Sequence, residues 1–147
     1  MTKISFLGSC REIGRSCILI ESEKGSKCLL DYGIGFNNDN RLPLEADFSN
    51  LKSIALTHSH IDHSGALPFI YKKNKIPFFT NSISLEIAEI LIRDMIKISK
   101  FPYPFGFREL DLLLIDFKDY KTLVRILAIN LHKLLHQVYH LEITFLI

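Results

Sequence analysis

Short apolar runs separated by polar turns predict that the first part of the chain consists of strands. The runs cover residues 4–7, 16–21, 27–31, 53–57 and 76–80. Each is short and bounded by glycine, proline or polar residues, as buried strands are. Lys24-Gly25-Ser26 predicts a tight turn, so the second and third strands should form a hairpin.

Helical patterns follow in the second half. Residues 64–75 have helical character, and Ser84 is a residue that can cap a helix. The apolar positions after it predict one buried helical face, formed by Leu85, Ile87, Ala88, Leu91, Ile92, Met95 and Ile96. An irregular aromatic segment at residues 101–106 should pack over an edge of the core, and a short helix should begin at residues 108–111. Strands alternating with helices predict a layered α/β fold.

The length and composition are typical of one domain that buries a hydrophobic core. The chain has 147 residues, of which 48% are hydrophobic. Its net charge of +2 is too small to indicate a polyanionic partner, so nucleic-acid binding must be argued from a site. No signal peptide follows Met1, and no apolar run reaches the roughly 18 residues of a membrane span.

The cysteines favour a reducing compartment. The chain has three cysteines, an odd number, and none of them forms a Cys-x-x-Cys spacing: Cys10, Cys17 and Cys28. This pattern predicts reduced thiols in a cytoplasmic protein, each buried or half-buried.

Metal-binding side chains are concentrated directly after the fourth apolar run. His58, His60, Asp62 and His63 lie within six residues. Residues i and i+2 of an extended segment point the same way, so His58 and His60 can hold one ion. A turn would then bring Asp62 and His63 to a second ion, about 3.5–4 Å from the first. Imidazole and carboxylate suit zinc; the alternative is a histidine-rich polar loop without metal.

This hexapeptide resembles a known family. His58-Ser59-His60-Ile61-Asp62-His63 matches the His-x-His-x-Asp-His signature of the metallo-β-lactamase superfamily. The continuation Ser64-Gly65-Ala66-Leu67-Pro68 is similar to its β-CASP branch of RNA-processing nucleases, which holds the cleavage and polyadenylation nuclease subunit, its archaeal relatives and ribonuclease J. Residues 7–16, Leu-Gly-x-x-Arg-Glu-Ile-Gly-Arg-Ser, and the later Leu-Leu-Asp-Tyr-Gly at residues 29–33 carry the same resemblance.

The resemblance implies a fold and an activity. The fold is the N-terminal half of a metallo-β-lactamase αββα sandwich over residues 1–120, a mixed sheet with flanking helices. The activity is hydrolysis of RNA phosphodiester bonds with two zinc ions, in which a zinc-bound hydroxide attacks phosphorus. RNA is then the expected partner, without a membrane, and a homo- or heterodimer is a further expectation.

The same resemblance assigns roles to residues. His58, His60, Asp62 and His63 are the expected metal ligands, and Asp62 is also the catalytic residue that positions the attacking water. Asp31 corresponds to an aspartate beside the metal site, where it can accept the second ring N–H of a ligand histidine. The alternative is that Asp31 only forms the turn before Gly33.

The end of the chain departs from the family. Residues 121–147 form an atypical apolar tail, and the family's Gly-His-x-x-Gly-Ser motif does not occur. Truncation or an out-of-frame reading would explain this. His132, His136 and His140 would share one helical face, which makes a metal role a further alternative. Two other functions stay open: a small-molecule thioester or lactam hydrolase, and a non-catalytic module that binds a partner.

Overall fold

One mixed sheet forms the centre of the computed structural model, which describes residues 1–10, 12–36, 41–72 and 75–119. Its strands, in spatial as in chain order, are β1 Lys3–Phe6, β2 Ile18–Glu21, β3 Lys27–Leu30, β4 Leu51–Ala55, β5 Phe78–Thr80 and β6 Phe117–Asp119. The first three strands pair antiparallel, and β3 to β6 pair parallel. The helices are α1 Ile61–Ser64, α2 Leu67–Ile70, α3 Ser82–Ile98 and α4 Phe107–Ile115. The predicted α/β class, a mixed sheet with flanking helices, is confirmed.

The parallel strands bring distant chain segments to one edge of the sheet. Leu30 at the end of β3 pairs with Ala55 at the end of β4, and Ala55 also pairs with Phe79 in β5. Because the carboxyl ends of parallel strands lie side by side, the loops that follow them meet. Asp31 and the histidine-rich loop after β4 therefore become neighbours.

Side chains from the sheet and from two helices form the core. Leu29, Ile54 and Phe78 are almost completely buried on three neighbouring strands. Ile92 of α3 and Leu110 of α4 are buried with them. Burying side chains of this size stabilises a fold by about 1.5–3 kcal/mol each. The edge of the sheet that carries the histidines is thus attached to a well-packed body.

Several predicted boundaries were wrong. Of the described residues within 64–75, a stretch predicted to be helical, the structure makes helical only Ser64, which ends α1, and the four residues of α2. Pro68 at the start of α2 lacks the N–H that a helix continuous with α1 would need. Helix α3 begins at Ser82 with Asn81 as its cap, since the Asn81 side chain accepts a hydrogen bond from the Ser84 backbone N–H at 2.8 Å. Strand β6 was not predicted.

Two burial predictions were also partly wrong. Ala88 and Ile92 of α3 are buried as expected, but Ile87 is 44% exposed and Leu91 is 36% exposed. Cys17 is buried and Cys28 half-buried, whereas Cys10 is exposed. The aromatic segment does pack on the core, through buried Phe105.

The tail lies outside the described residues. This applies to residues 120–147 and therefore to His132, His136 and His140, whose metal role stays a prediction. Within the described part of the chain, no helix has both the length and the apolar character needed to cross a membrane.

The buried thiol gives a first prediction. Burial, assisted by the nearby Asp31 carboxylate, raises the pKa of the Cys17 thiol to about 12. Since the thiolate is the reactive form, Cys17 should stay unmodified by a disulfide reagent at pH 8, while exposed Cys10 reacts at once. Thiol counting in native and urea-unfolded protein would measure this, with Cys10→Ser as the control. Rapid loss of a second thiol that Cys17→Ser abolishes would contradict it.

Candidate metal centre

Three imidazole rings converge in the loop between β4 and α1 and in the first turn of α1. The ring centroids of His58 and His60 are 4.7 Å apart, and those of His58 and His63 are 4.0 Å apart. His58 Nε2 faces His60 Nδ1 at 3.2 Å. The structure therefore brings together all three histidines of the hexapeptide at the carboxyl edge of the sheet.

Asp31 is the buried carboxylate behind these rings. It follows β3 with only 3% of its surface exposed, and its φ of 58° is in the left-handed region. Its Oδ2 accepts a hydrogen bond from His63 Nδ1 at 2.8 Å. This leaves His63 Nε2 with the free lone pair, which is the arrangement expected of a carboxylate that orients a metal-binding histidine. The role of Asp31 in metal binding stays a prediction.

Backbone hydrogen bonds hold the hexapeptide against the segment after β3. Tyr32 N–H donates to the His63 carbonyl at 2.9 Å, and Ser16 N–H donates to the Asp62 carbonyl at 2.8 Å. Gly33 lies so close that a Cβ there would be 1.6 Å from the Asp62 carbonyl oxygen. The two segments can approach this closely only because residue 33 has no side chain.

The donor atoms form two couples. His58 Nε2 and His60 Nδ1 are 3.2 Å apart, and two nitrogens on one tetrahedral zinc, bound at about 2.0–2.1 Å, would be about 3.3–3.4 Å apart. His63 Nε2 and the half-buried Asp62 Oδ2 are 3.7 Å apart. Over residues 1–10, 12–36, 41–72 and 75–119, however, no three His, Cys, Asp or Glu side chains form a group that could hold a metal ion. The first couple fits zinc in chemistry and in spacing, and the second fits in chemistry at a wider spacing, but each supplies only two of the ~3 or 4 ligands required.

The electrostatics of the site favour uncharged imidazole at His58. Partial burial, followed by repulsion from His63 and His60, lowers the pKa of His58 below its ordinary value. A histidine must be neutral to bind a metal, so this shift keeps His58 ready to bind at neutral pH.

Two supporting hydroxyls were missed by the sequence reading. Thr57 was placed at the end of the fourth strand, but β4 ends at Ala55 and the Thr57 hydroxyl contacts both Asp31 and His58. Fully buried Ser64 shares its one hydroxyl proton between the Ser59 and His60 carbonyl oxygens, each 3.0 Å from Oγ, and so fixes the turn. The signal available for Thr57 was its position directly before His58, a predicted ligand.

The fold and the site are those of a known superfamily, and the sequence matches the same superfamily. Residues 11–129 match the Metallo-beta-lactamase superfamily. Because this match covers most of the chain, the chain belongs to the metallo-β-lactamase superfamily, whose members are metal-dependent.

Individual relatives indicate the branch of the superfamily to which the chain is similar. The chain is 37% identical over 108 residues to "Probable RNase MJ4" of Methanocaldococcus jannaschii, covering 69% of this chain and 25% of that protein. It is 36% identical over 106 residues to "RNase aCSPSF2" of Saccharolobus solfataricus, covering 68% and 21%. It is 37% identical over 107 residues to "Cleavage and polyadenylation specificity factor 73" of Drosophila melanogaster, covering 67% and 15%.

The resemblance to the β-CASP nuclease branch is thereby confirmed for the N-terminal part of the domain. The chain spans a quarter or less of the length of these relatives.

The close contact at Gly33 gives a second prediction. Gly33→Ala should lower the free energy of unfolding by more than about 3 kcal/mol, because the new methyl group collides with backbone rather than with a movable side chain. The control is Gly25→Ala in the β2–β3 turn, where φ is 76° and nothing lies within 4 Å. That change should cost only about 1–2 kcal/mol of backbone strain.

Urea unfolding followed by far-UV circular dichroism measures both variants, since the chain has no tryptophan. Equal destabilisation by the two substitutions would show that the approach of Gly33 to Asp62 is not tight.

Proposed function

We propose that this chain carries part of the active site of a zinc-dependent RNA-processing nuclease. The observation that carries the proposal is the convergence of His58, His60 and His63 at the edge of the sheet, backed by the buried Asp31 carboxylate. Support also comes from the superfamily match and from relatives whose names include RNase and cleavage factor.

In this proposal His58 and His60 hold one zinc ion, and Asp62 and His63 hold a second. Zinc is preferred over magnesium because imidazole and carboxylate together suit it. When bound, the ions would supply Lewis acidity that activates water and neutralises the charge that develops at phosphorus. The ligands that are still required would come from elsewhere in the protein or from a second subunit.

The side chains of this chain have separate tasks. Asp31 holds the His63 ring in one orientation through the 2.8 Å contact at Nδ1. Asp62 is half-buried, with Oδ2 3.7 Å from His63 Nε2, and its carboxylate can orient the attacking water and accept its proton. Gly33 and Ser64 keep the loop in the shape that presents these groups.

RNA is the proposed substrate, and recognition must come from the site because the net charge is only +2. A cytoplasmic location and assembly as a homo- or heterodimer belong to the same proposal. The free state of Cys10, Cys17 and Cys28 agrees with a reducing compartment.

Zinc binding provides a third prediction. Purified chain, freed of metal by chelation, should bind zinc in calorimetry. His58→Ala should weaken zinc binding by at least about tenfold, because loss of a ligand should lower the affinity at least as much as loss of a residue that hydrogen-bonds to a ligand. His136→Ala tests separately whether the tail supplies a ligand: a loss of zinc affinity would indicate that it does, and an unchanged affinity that His136 is not a ligand. Unchanged zinc affinity in His58→Ala, with native circular dichroism, would contradict the proposed ligand set.

RNA cleavage provides a fourth prediction. With zinc added, an assembly in which a second subunit completes the ligand set should cleave a labelled single-stranded RNA, and Asp62→Asn should abolish cleavage, because an amide cannot take a proton from water. A model thioester is assayed in parallel. Thioester hydrolysis without RNA cleavage would favour the small-molecule hydrolase, and inactivity on both substrates would favour the non-catalytic module.

A further inference from the structure

The Thr57 hydroxyl lies between a buried carboxylate and a histidine of the candidate metal centre. Its Oγ1 is 2.9 Å from Asp31 Oδ2 and 3.0 Å from His58 Nδ1. The backbone N–H of Thr57 also donates to Asp31 Oδ1 at 2.8 Å. Both carboxylate oxygens of Asp31 therefore bind this one residue, and the hydroxyl has little freedom to move.

The number of protons available decides which atom donates in each of these hydrogen bonds. An ionised carboxylate only accepts, and a threonine hydroxyl has one proton to give. Asp31 Oδ2 therefore receives the Thr57 proton, as it also receives the N–H of His63 Nδ1. The remaining lone pair of Thr57 Oγ1 faces His58 Nδ1, and the 3.0 Å contact is a hydrogen bond only if Nδ1 carries the proton.

We propose that Thr57 is a positioning residue that fixes His58 in the tautomer with the proton on Nδ1. The lone pair is then on Nε2, which faces His60 Nδ1 at 3.2 Å, and in the metal-free protein this contact is a hydrogen bond in which His60 Nδ1 donates. Asp31 fixes the tautomers of two histidines with one oxygen, His63 by direct contact and His58 through the Thr57 hydroxyl. The nitrogen protonated in a neutral imidazole is set by the hydrogen bond that it makes.

The inference deepens the proposed function, because the lone pairs on Nε2 of His58 and Nε2 of His63 belong to nitrogens of the candidate metal centre. Its first part does not depend on metal binding, since the tautomer of His58 is a property of the protein alone. Failure of the tautomer prediction and failure of zinc binding are therefore separate results.

Nitrogen-15 NMR of histidine-labelled, metal-free protein tests the tautomer at a pH at which His58 is neutral. The His58 signals are identified by their absence in His58→Gln. The wild-type protein should show a protonated Nδ1 and an unprotonated Nε2 at His58. A protonated Nε2 in the wild type would overturn the proposal without any Thr57 variant.

Substitutions then test whether Thr57 is the cause. Thr57→Val keeps the shape but removes the hydroxyl, so His58 should shift toward a mixture of tautomers, and Thr57→Ser should retain the wild-type pattern. The control is Thr80→Val, since the buried Thr80 hydroxyl donates to the Leu56 carbonyl and does not contact a histidine. A wild-type tautomer pattern in folded Thr57→Val would overturn the role of Thr57.

Zinc affinity adds a readout that loss of stability alone does not explain. Removing a supporting partner of a metal ligand typically lowers metal affinity by about 10–100-fold. Thr57→Val should show such a loss of zinc affinity. Thr57→Ser should bind zinc within about threefold of the wild-type affinity, a difference smaller than that loss. Thr80→Val should leave the zinc affinity unchanged. Equal affinities of Thr57→Val and Thr80→Val, with both proteins folded, would contradict the proposal.

Discussion

The arrangement of this site depends on one buried carboxylate. Asp31 lies where β3 ends, almost inaccessible to solvent, and accepts hydrogen bonds from His63 and from the backbone and hydroxyl of Thr57. A buried charge is costly unless such partners satisfy it, so burial of Asp31 requires the loop after β4 and the first turn of α1 to lie against it. The same contacts that stabilise the carboxylate orient the histidines.

A second constraint is the space available behind the hexapeptide. The backbone of Gly33 touches the Asp62 carbonyl, and Ser16 and Tyr32 donate to the carbonyls of Asp62 and His63. The loop is thus held from behind by backbone contacts and from the side by Asp31. The predicted metal-binding atoms of the loop lie in two couples, and this feature connects the metallo-β-lactamase domain to the proposed chemistry.

Much of this was readable from the sequence because it is local. The period of apolar residues predicted five of the six described strands, and the spacing of His58, His60, Asp62 and His63 identified the candidate ligands. Local patterns failed where an interaction at longer range decides the outcome. Strand β6 has only three residues and exists through pairing with β5, and Ile87 looks like a core residue until the orientation of α3 is known.

The sequence by itself determined which residue types are present, their spacing and the chemistry available to them. The tertiary structure alone decided which ring nitrogen of His58 and of His63 has a hydrogen-bond partner that leads to Asp31, because Asp31 is distant from both in the chain. Asp31 and His63 are 32 positions apart, and Asp31 and Thr57 are 26 apart, yet the parallel pairing of β3 with β4 brings the loops that carry them together. A motif specifies ligands, whereas the pairing of strands specifies how those ligands are oriented.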